Sequence, residues 1–77
     1  MRVTLPLTYW ADYSERFDDI PKVVDLRGRM AEIEATPAQL DHLRADAAHY
    51  ASDAMDACPA WLRRSARAAT LHLSRAP

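Results

Sequence analysis

The run Thr36-Pro37-Ala38-Gln39 constrains this chain more tightly than any other feature, because it fixes where a helix begins. Threonine accepts hydrogen bonds at an N-cap, proline suits the first helical turn, and glutamine three residues after the cap completes a capping box. The helix therefore starts at 36 or 37 and runs to about Ser52 or Met55. Its apolar face is Leu40, Leu43, Ala47, Tyr50, Ala51 and Ala54, at helical spacing.

The remaining elements are read outward from this anchor. The one glycine, Gly28, sits between two short runs in KVVDLRGRMAEIEA. A hairpin turning at Arg27 and Gly28 would pair Leu26 with Arg29, Val24 with Ala31 and Lys22 with Ile33. That register places Val24, Leu26, Ala31, Ile33 and Ala35 on an apolar face, with Val23, Asp25, Met30, Glu32 and Glu34 on a wetter one. Upstream, Leu7, Trp10, Ser14 and Phe17 recur at helical spacing behind Pro6, giving a first helix near 6–17, with room for a short strand at Arg2–Leu5 before it. Downstream, Leu62, Ala66, Ala69 and Leu73 define a third helix over about 59–75. The order is α-β-β-α-α: an α+β fold, one domain over 1–77, in which an antiparallel hairpin packs against helices. The sequence shows no internal repeat, linker or low-complexity segment.

A chain of 77 residues has a small core, since at this size about 60% of the unfolded surface is buried. A single cysteine, Cys58, excludes an internal disulfide and suits a reducing cytosol. The N-terminal segment lacks the pattern of a signal peptide, and no stretch approaches the roughly 18 apolar residues needed to span a bilayer. A cytoplasmic location without membrane insertion is the expectation. The net charge of −1 conceals an asymmetry: all eleven acidic residues lie between Asp12 and Asp56, whereas residues 57–77 contain Arg63, Arg64, Arg67 and Arg75 and no acid.

His42, Asp46, His49 and Asp53 fall within about 60° of one another on a helical wheel, roughly opposite Leu40 and Ala47. Histidine and carboxylate four residues apart suit zinc or another divalent metal. The face farthest from the core offers no evident second shell to orient such ligands, so a solvated face without metal is the better reading. With Asp56, and with Glu32 and Glu34 from the hairpin, the stripe makes an acidic surface suited to a basic groove on a partner protein. The last helix has the opposite sign: Arg64, Arg67 and Arg75 lie within about 80° of one another, with Arg63 beside them. No aromatic is read as interleaving these arginines, so nucleic-acid binding is the alternative, and a solvated face or pairing with the acidic helix the plainer reading.

Other chemistry is less well supported. Cys58 precedes a proline at a helix start, a position that can lower a thiol's pKa, but it has no histidine near in sequence and small buried cysteines are common, so a structural role is the reading. The aromatics Tyr9, Trp10, Tyr13, Phe17, Tyr50 and Trp61 are assigned to the core, although an exposed Trp61 or Tyr9 would mark a contact surface. Ser14, Ser52, Ser65 and Ser74 lack a nucleophile elbow, and one glycine excludes glycine-rich phosphate loops. No enzyme activity and no cofactor are expected.

The strings VTLPLTYWADYSER, ATPAQLDHLRADAAHYA and LRRSARA together resemble a group of small phage and prophage proteins. The resemblance implies a non-enzymatic inhibitor that binds and blocks a host protein or ribonucleoprotein complex, as anti-CRISPR proteins do. No site motif is carried over with it. Two expectations follow: an interaction module acting through the acidic helix, or a nucleic-acid-associated regulator acting through the arginine helix. A homodimer is compatible with both, given the small core and the spare apolar residues Val23, Met30 and Leu71.

Overall fold

Residues 2–34 build a three-stranded antiparallel sheet interrupted by one helix, and two further helices close over it. The computed structural model describes residues 1–52 and 58–75. The elements in chain order are β1 (Arg2–Pro6), α1 (Leu7–Arg16), β2 (Lys22–Arg27), β3 (Met30–Glu34), α2 (Pro37–Ala51) and α3 (Ala60–Ser74). The strand order is β1-β3-β2, with β3 central. The α+β class and the order of helices and hairpin are those expected from sequence. The short strand near Arg2 is present and pairs with β3 from Arg2↔Glu34 to Pro6↔Met30. Pro6 ends that strand at a sheet edge, where its missing N–H costs no ladder bond.

The hairpin register differs from the expected one. Arg27 pairs with Met30, so the two loop residues are Gly28 and Arg29. Gly28 has φ +56 and no non-glycine residue among those described has a positive φ, so glycine occupies the first central position of a tight turn. The pairing then slips by one residue between Val23 and Asp25, leaving Val24 as the extra residue of a bulge. As a result Leu26 stands opposite Ala31 and Val23 opposite Ile33, while Lys22, Asp25 and Arg27 share the outer face with Glu34, Glu32 and Met30.

The capping box at Thr36 is formed: the Gln39 amide donates to the Thr36 hydroxyl at 3.1 Å, and the Thr36 amide donates to Gln39 Oε1 at 3.0 Å. Of the expected inward faces, Leu40, Leu43 and Ala47 on α2 and Leu62, Ala66, Ala69 and Leu73 on α3 are buried, Tyr50 and Ala51 are half-buried, and Ala54 lies outside the described residues. The alanines let these helices approach closely, and each fully buried leucine contributes about 2 kcal/mol. Helix α1 departs from expectation. Its buried residues are Tyr9, Trp10 and Tyr13, whereas Leu7 and Phe17 are only partly buried and the Ser14 hydroxyl donates to the Ala11 carbonyl.

Replacing Gly28 tests the turn directly. A Cβ there meets nothing within 4 Å, so any cost is conformational. Gly28→Ala is expected to lower stability by about 1 kcal/mol and Gly28→Asn by less, since asparagine tolerates left-handed backbone; thermal denaturation of the pair measures this.

Candidate functional site

The histidine and aspartate stripe is only partly the wet side of α2: His42 and His49 are exposed, but Asp46 is not. Asp46 faces α1, and its side chain is only 9% exposed. Arg16 grips it with two parallel bonds, Nη1 to Oδ1 and Nη2 to Oδ2, each 2.8 Å, while the Tyr9 hydroxyl donates to Oδ2 at 2.7 Å. Arg16 also donates from Nε to Asp12 at 2.8 Å and lies 4.3 Å from the Tyr50 ring centroid. One turn earlier, the Tyr13 hydroxyl and His42 Nδ1 are 2.6 Å apart, and Phe17 meets the His42 ring edge-on at 4.6 Å. Two tyrosines four apart on α1 thus meet an aspartate and a histidine four apart on α2. Buried phenols need partners, and these side chains supply them.

The electrostatics follow from this packing. Burial alone would raise the Asp46 carboxyl, but the hydrogen bonds from Arg16 and Tyr9 and the Arg16 charge outweigh it and hold the group below its ordinary value of 3.8. Burial pushes the Tyr9 phenol upward, and its bond to Asp46 pushes it further; burial, then the Asp46 charge, raises Tyr13. The guanidinium of Arg16 is held protonated chiefly by its bond to Asp46.

The other members of the expected acidic surface are dispersed. Glu32 and Glu34 project from the sheet face opposite to Ala31 and Ile33, and so away from the helices. Glu32 lies 3.6 Å from Arg2, and Glu34 lies 3.4 Å from the N-terminal ammonium. His42 and His49 are exposed, His49 resting edge-on against Tyr50. Asp53 and Asp56 lie outside the described residues. Among the described residues no group of three His, Cys, Asp or Glu side chains comes together to hold a metal ion. An acidic feature the sequence reading missed is a cleft of about 330 Å³ beside the start of α2, lined by Asp18, Asp19 and His42.

The arginines of α3 differ in their surroundings. Arg67 donates from Nε to the Ala51 carbonyl at 3.4 Å, Arg63 is half-buried, and Arg75 is exposed at the C-cap. Arg64 faces a different environment. The hairpin tip is tied to the start of α1 by the Leu7 amide, which donates to the Arg29 carbonyl at 2.7 Å. Thr8 and Ser65 join α1 to α3 through their hydroxyls. Between the three elements runs an open groove of about 630 Å³ with an apolar floor of Pro6, Leu7, Met30 and Ala68, rimmed by Arg29, Arg64, His72 and Trp61. Among the described residues no acidic side chain lines it.

Trp61 is 49% exposed, whereas Trp10 is 5% exposed and Tyr9 is fully buried. Of the aromatics assigned to the core, Trp61 is therefore the one that stands outside, and it supplies the aromatic the arginine helix was read as lacking. Cys58 is half-buried, packs against the core and points its thiol at the Tyr50 carbonyl, 3.9 Å away, as a structural cysteine would. No described helix is long and apolar enough to cross a membrane. The fold and groove define a small α+β domain with a cationic, aromatic-edged surface. No family model matches the chain, nor does any curated protein or solved structure.

The Arg16–Asp46 pair gives two testable limbs of stability against pH. Asp46 has its folded pKa depressed, so its contribution is present above the unfolded carboxylate range and is lost as pH falls through the folded value, below 3.8. Tyr9 is raised, so its contribution is full below the ordinary phenol value of 10.0 and declines above it. In urea titrations, Asp46→Asn is expected to cost on the order of 2 kcal/mol at neutral pH and to flatten the acid limb. Tyr9→Phe is expected to flatten the alkaline limb instead.

Proposed function

We propose that this chain is a non-enzymatic interaction module, of the phage-borne inhibitor kind, that blocks a host complex by binding an acidic segment of it in the Trp61 groove. The observation that carries the reading is the exposed tryptophan beside Arg29, Arg64 and His72 over an apolar floor, with no acid among the described residues that line it. Exposed tryptophan and arginine are the residue types that anchor protein interfaces. Charge complementarity selects an acidic partner, and the apolar floor selects one that inserts a hydrophobic side chain. The inhibitor role is supported by the likeness of three sequence strings to small phage proteins. The acidic helix is a poorer candidate, because Asp46 is spent on Arg16 and Glu32 and Glu34 face away from α2.

The same groove favours a second reading, single-stranded nucleic acid, since an aromatic face beside two guanidinium groups suits a base and its phosphates. Affinity capture from nuclease-treated host lysate, in parallel with an oligothymidylate titration followed by tryptophan emission, separates the two. The proposal expects a protein complex that survives nuclease and whose affinity falls about thirtyfold for Trp61→Ala, the loss of an anchor worth about 2 kcal/mol. Arg64→Glu should weaken it too, and Asp41→Lys should not. Oligothymidylate binding that is strongly salt-dependent and lost in Trp61→Ala would transfer the function to nucleic acid. Retention of the same complex by Trp61→Ala and Arg64→Glu would refute the groove in both readings.

A further inference from the structure

The outer edge of β2 is left uncovered in a way the core does not explain. Val23, Val24 and Leu26 are 37%, 41% and 59% exposed, although Val23 and Leu26 share the sheet face on which Ile33 and Ala31 are fully buried. The reason is positional: α1 and α3 pack over β1, α1 also reaches β3, and β2 packs chiefly on β3 alone. The opposite edge is protected, because Val3 and Leu5 of β1 are buried and Pro6 ends the strand. β2 thus presents unpaired backbone groups along a run of valines and a leucine, the arrangement that invites strand addition.

We propose that the occupant of this edge is a second copy of the chain, with two β2 strands pairing antiparallel about a two-fold axis between Val23 and Val24. Charge complementarity selects the partner, and the length of strand paired selects the register. In that register Val23 of each copy meets Val24 of the other, and Lys22 of each meets Asp25 of the other, twice by symmetry. Both Lys22 and Asp25 lie on the outer face of the sheet, as a cross-strand pair requires. The charge ladder Arg2, Glu34, Lys22 then continues into Asp25 of the second copy. Moving the axis to lie between Val24 and Asp25 would set Lys22 against Arg27, and centring it on Asp25 would bring two carboxylates together. The bulge at Val24 and the flanking charges would guard the edge against strands in general. In this register the charges attract; an axis on Leu26 would also set Asp25 against Arg27, but it would pair only the tip of the strand and leave Lys22 and Val23 outside it.

Neither Trp61 nor Arg64 takes part, so this inference stands apart from the groove. Sedimentation equilibrium from low micromolar to millimolar protein tests it. The expected result is a reversible monomer–dimer equilibrium, weakened about tenfold by either Lys22→Asp or Asp25→Lys and restored in the doubly exchanged chain. Val24→Lys, which sets like charges beside the axis, should abolish the dimer while far-UV circular dichroism and the melting temperature show a folded chain. A chain that stays monomeric throughout the range overturns the proposal. So does a dimer that ignores Val24→Lys, or one whose charge-exchange variants are not rescued in combination.

Discussion

The charge-assisted cluster of Arg16, Asp46 and Tyr9 is the interaction on which the arrangement of the helices depends. α2 packs broadly on α3, and α3 on β1, but the α1 and α2 backbones approach at few points. Side chains span that gap: tyrosines and a phenylalanine from α1, and a histidine, an aspartate and a tyrosine from α2. Large aromatics supply the buried area that a chain this short needs. Their hydroxyls then demand partners, and Asp46 and His42 provide them. Asp46 in turn could not be buried as a bare carboxylate, which is why Arg16 reaches it with both terminal nitrogens. Each polar group in the cluster is thus required by the one before it. A half-buried ion pair of this kind adds little net stability over a well-packed apolar pair, but leaving any one member unpaired is costly. Its effect is to specify how α1 sits against α2.

That cluster also explains where sequence reasoning succeeded and where it did not. Signals confined to one element were legible: the capping box at Thr36, the leucine and alanine spacing of α2 and α3, and a glycine between two strand-like runs. The stripe on α2 was legible as a pattern but not in its meaning. A helical wheel assigns Asp46 to solvent because it stands opposite the aliphatic face, and nothing within α2 reveals that a second aromatic face will arrive from α1. The clue lay in α1 itself, where Tyr9 and Tyr13 repeat with the same four-residue spacing as His42 and Asp46. The hairpin failed differently. Expecting the turn one residue early moved every partner on β2; Leu26 kept its place on the helix side, but the bulge at Val24 brought Val23 there as well, a change that simple alternation does not anticipate.

The charge asymmetry of the chain takes on a different meaning once the fold is known. Five of the nine acids up to Asp46 are answered close at hand: Asp12 and Asp46 by Arg16, Asp25 by Arg27, Glu32 by Arg2 and Glu34 by the N-terminal ammonium. Arg44 donates to the Leu73 carbonyl at the end of α3, where a cation complements the helix dipole. Arg29 and Arg64, 35 positions apart in the chain, converge with Trp61 because the hairpin tip is fastened to the start of α1 and α1 is fastened to α3. A site assembled from three elements has no sequence spacing of its own, so only the fold could reveal it.

The hairpin links the two surfaces without making them compete. Its tip, Gly28 to Met30, forms one wall of the groove, while the proposed pairing segment Lys22 to Asp25 begins at the far end of β2. The tight turn at Gly28 orients Arg29 toward the groove; the bulge at Val24 sets which residues of β2 stay outside. Two copies paired along β2 about an axis near Val23 would carry their groove-bearing tips away from that axis in opposite directions. Each copy could then hold its own acidic segment, and a partner presenting two such segments would be held more tightly than either site alone permits. For a domain with so small a core, pairing would also bury Val23, Val24 and Leu26, the apolar surface that its own helices do not reach.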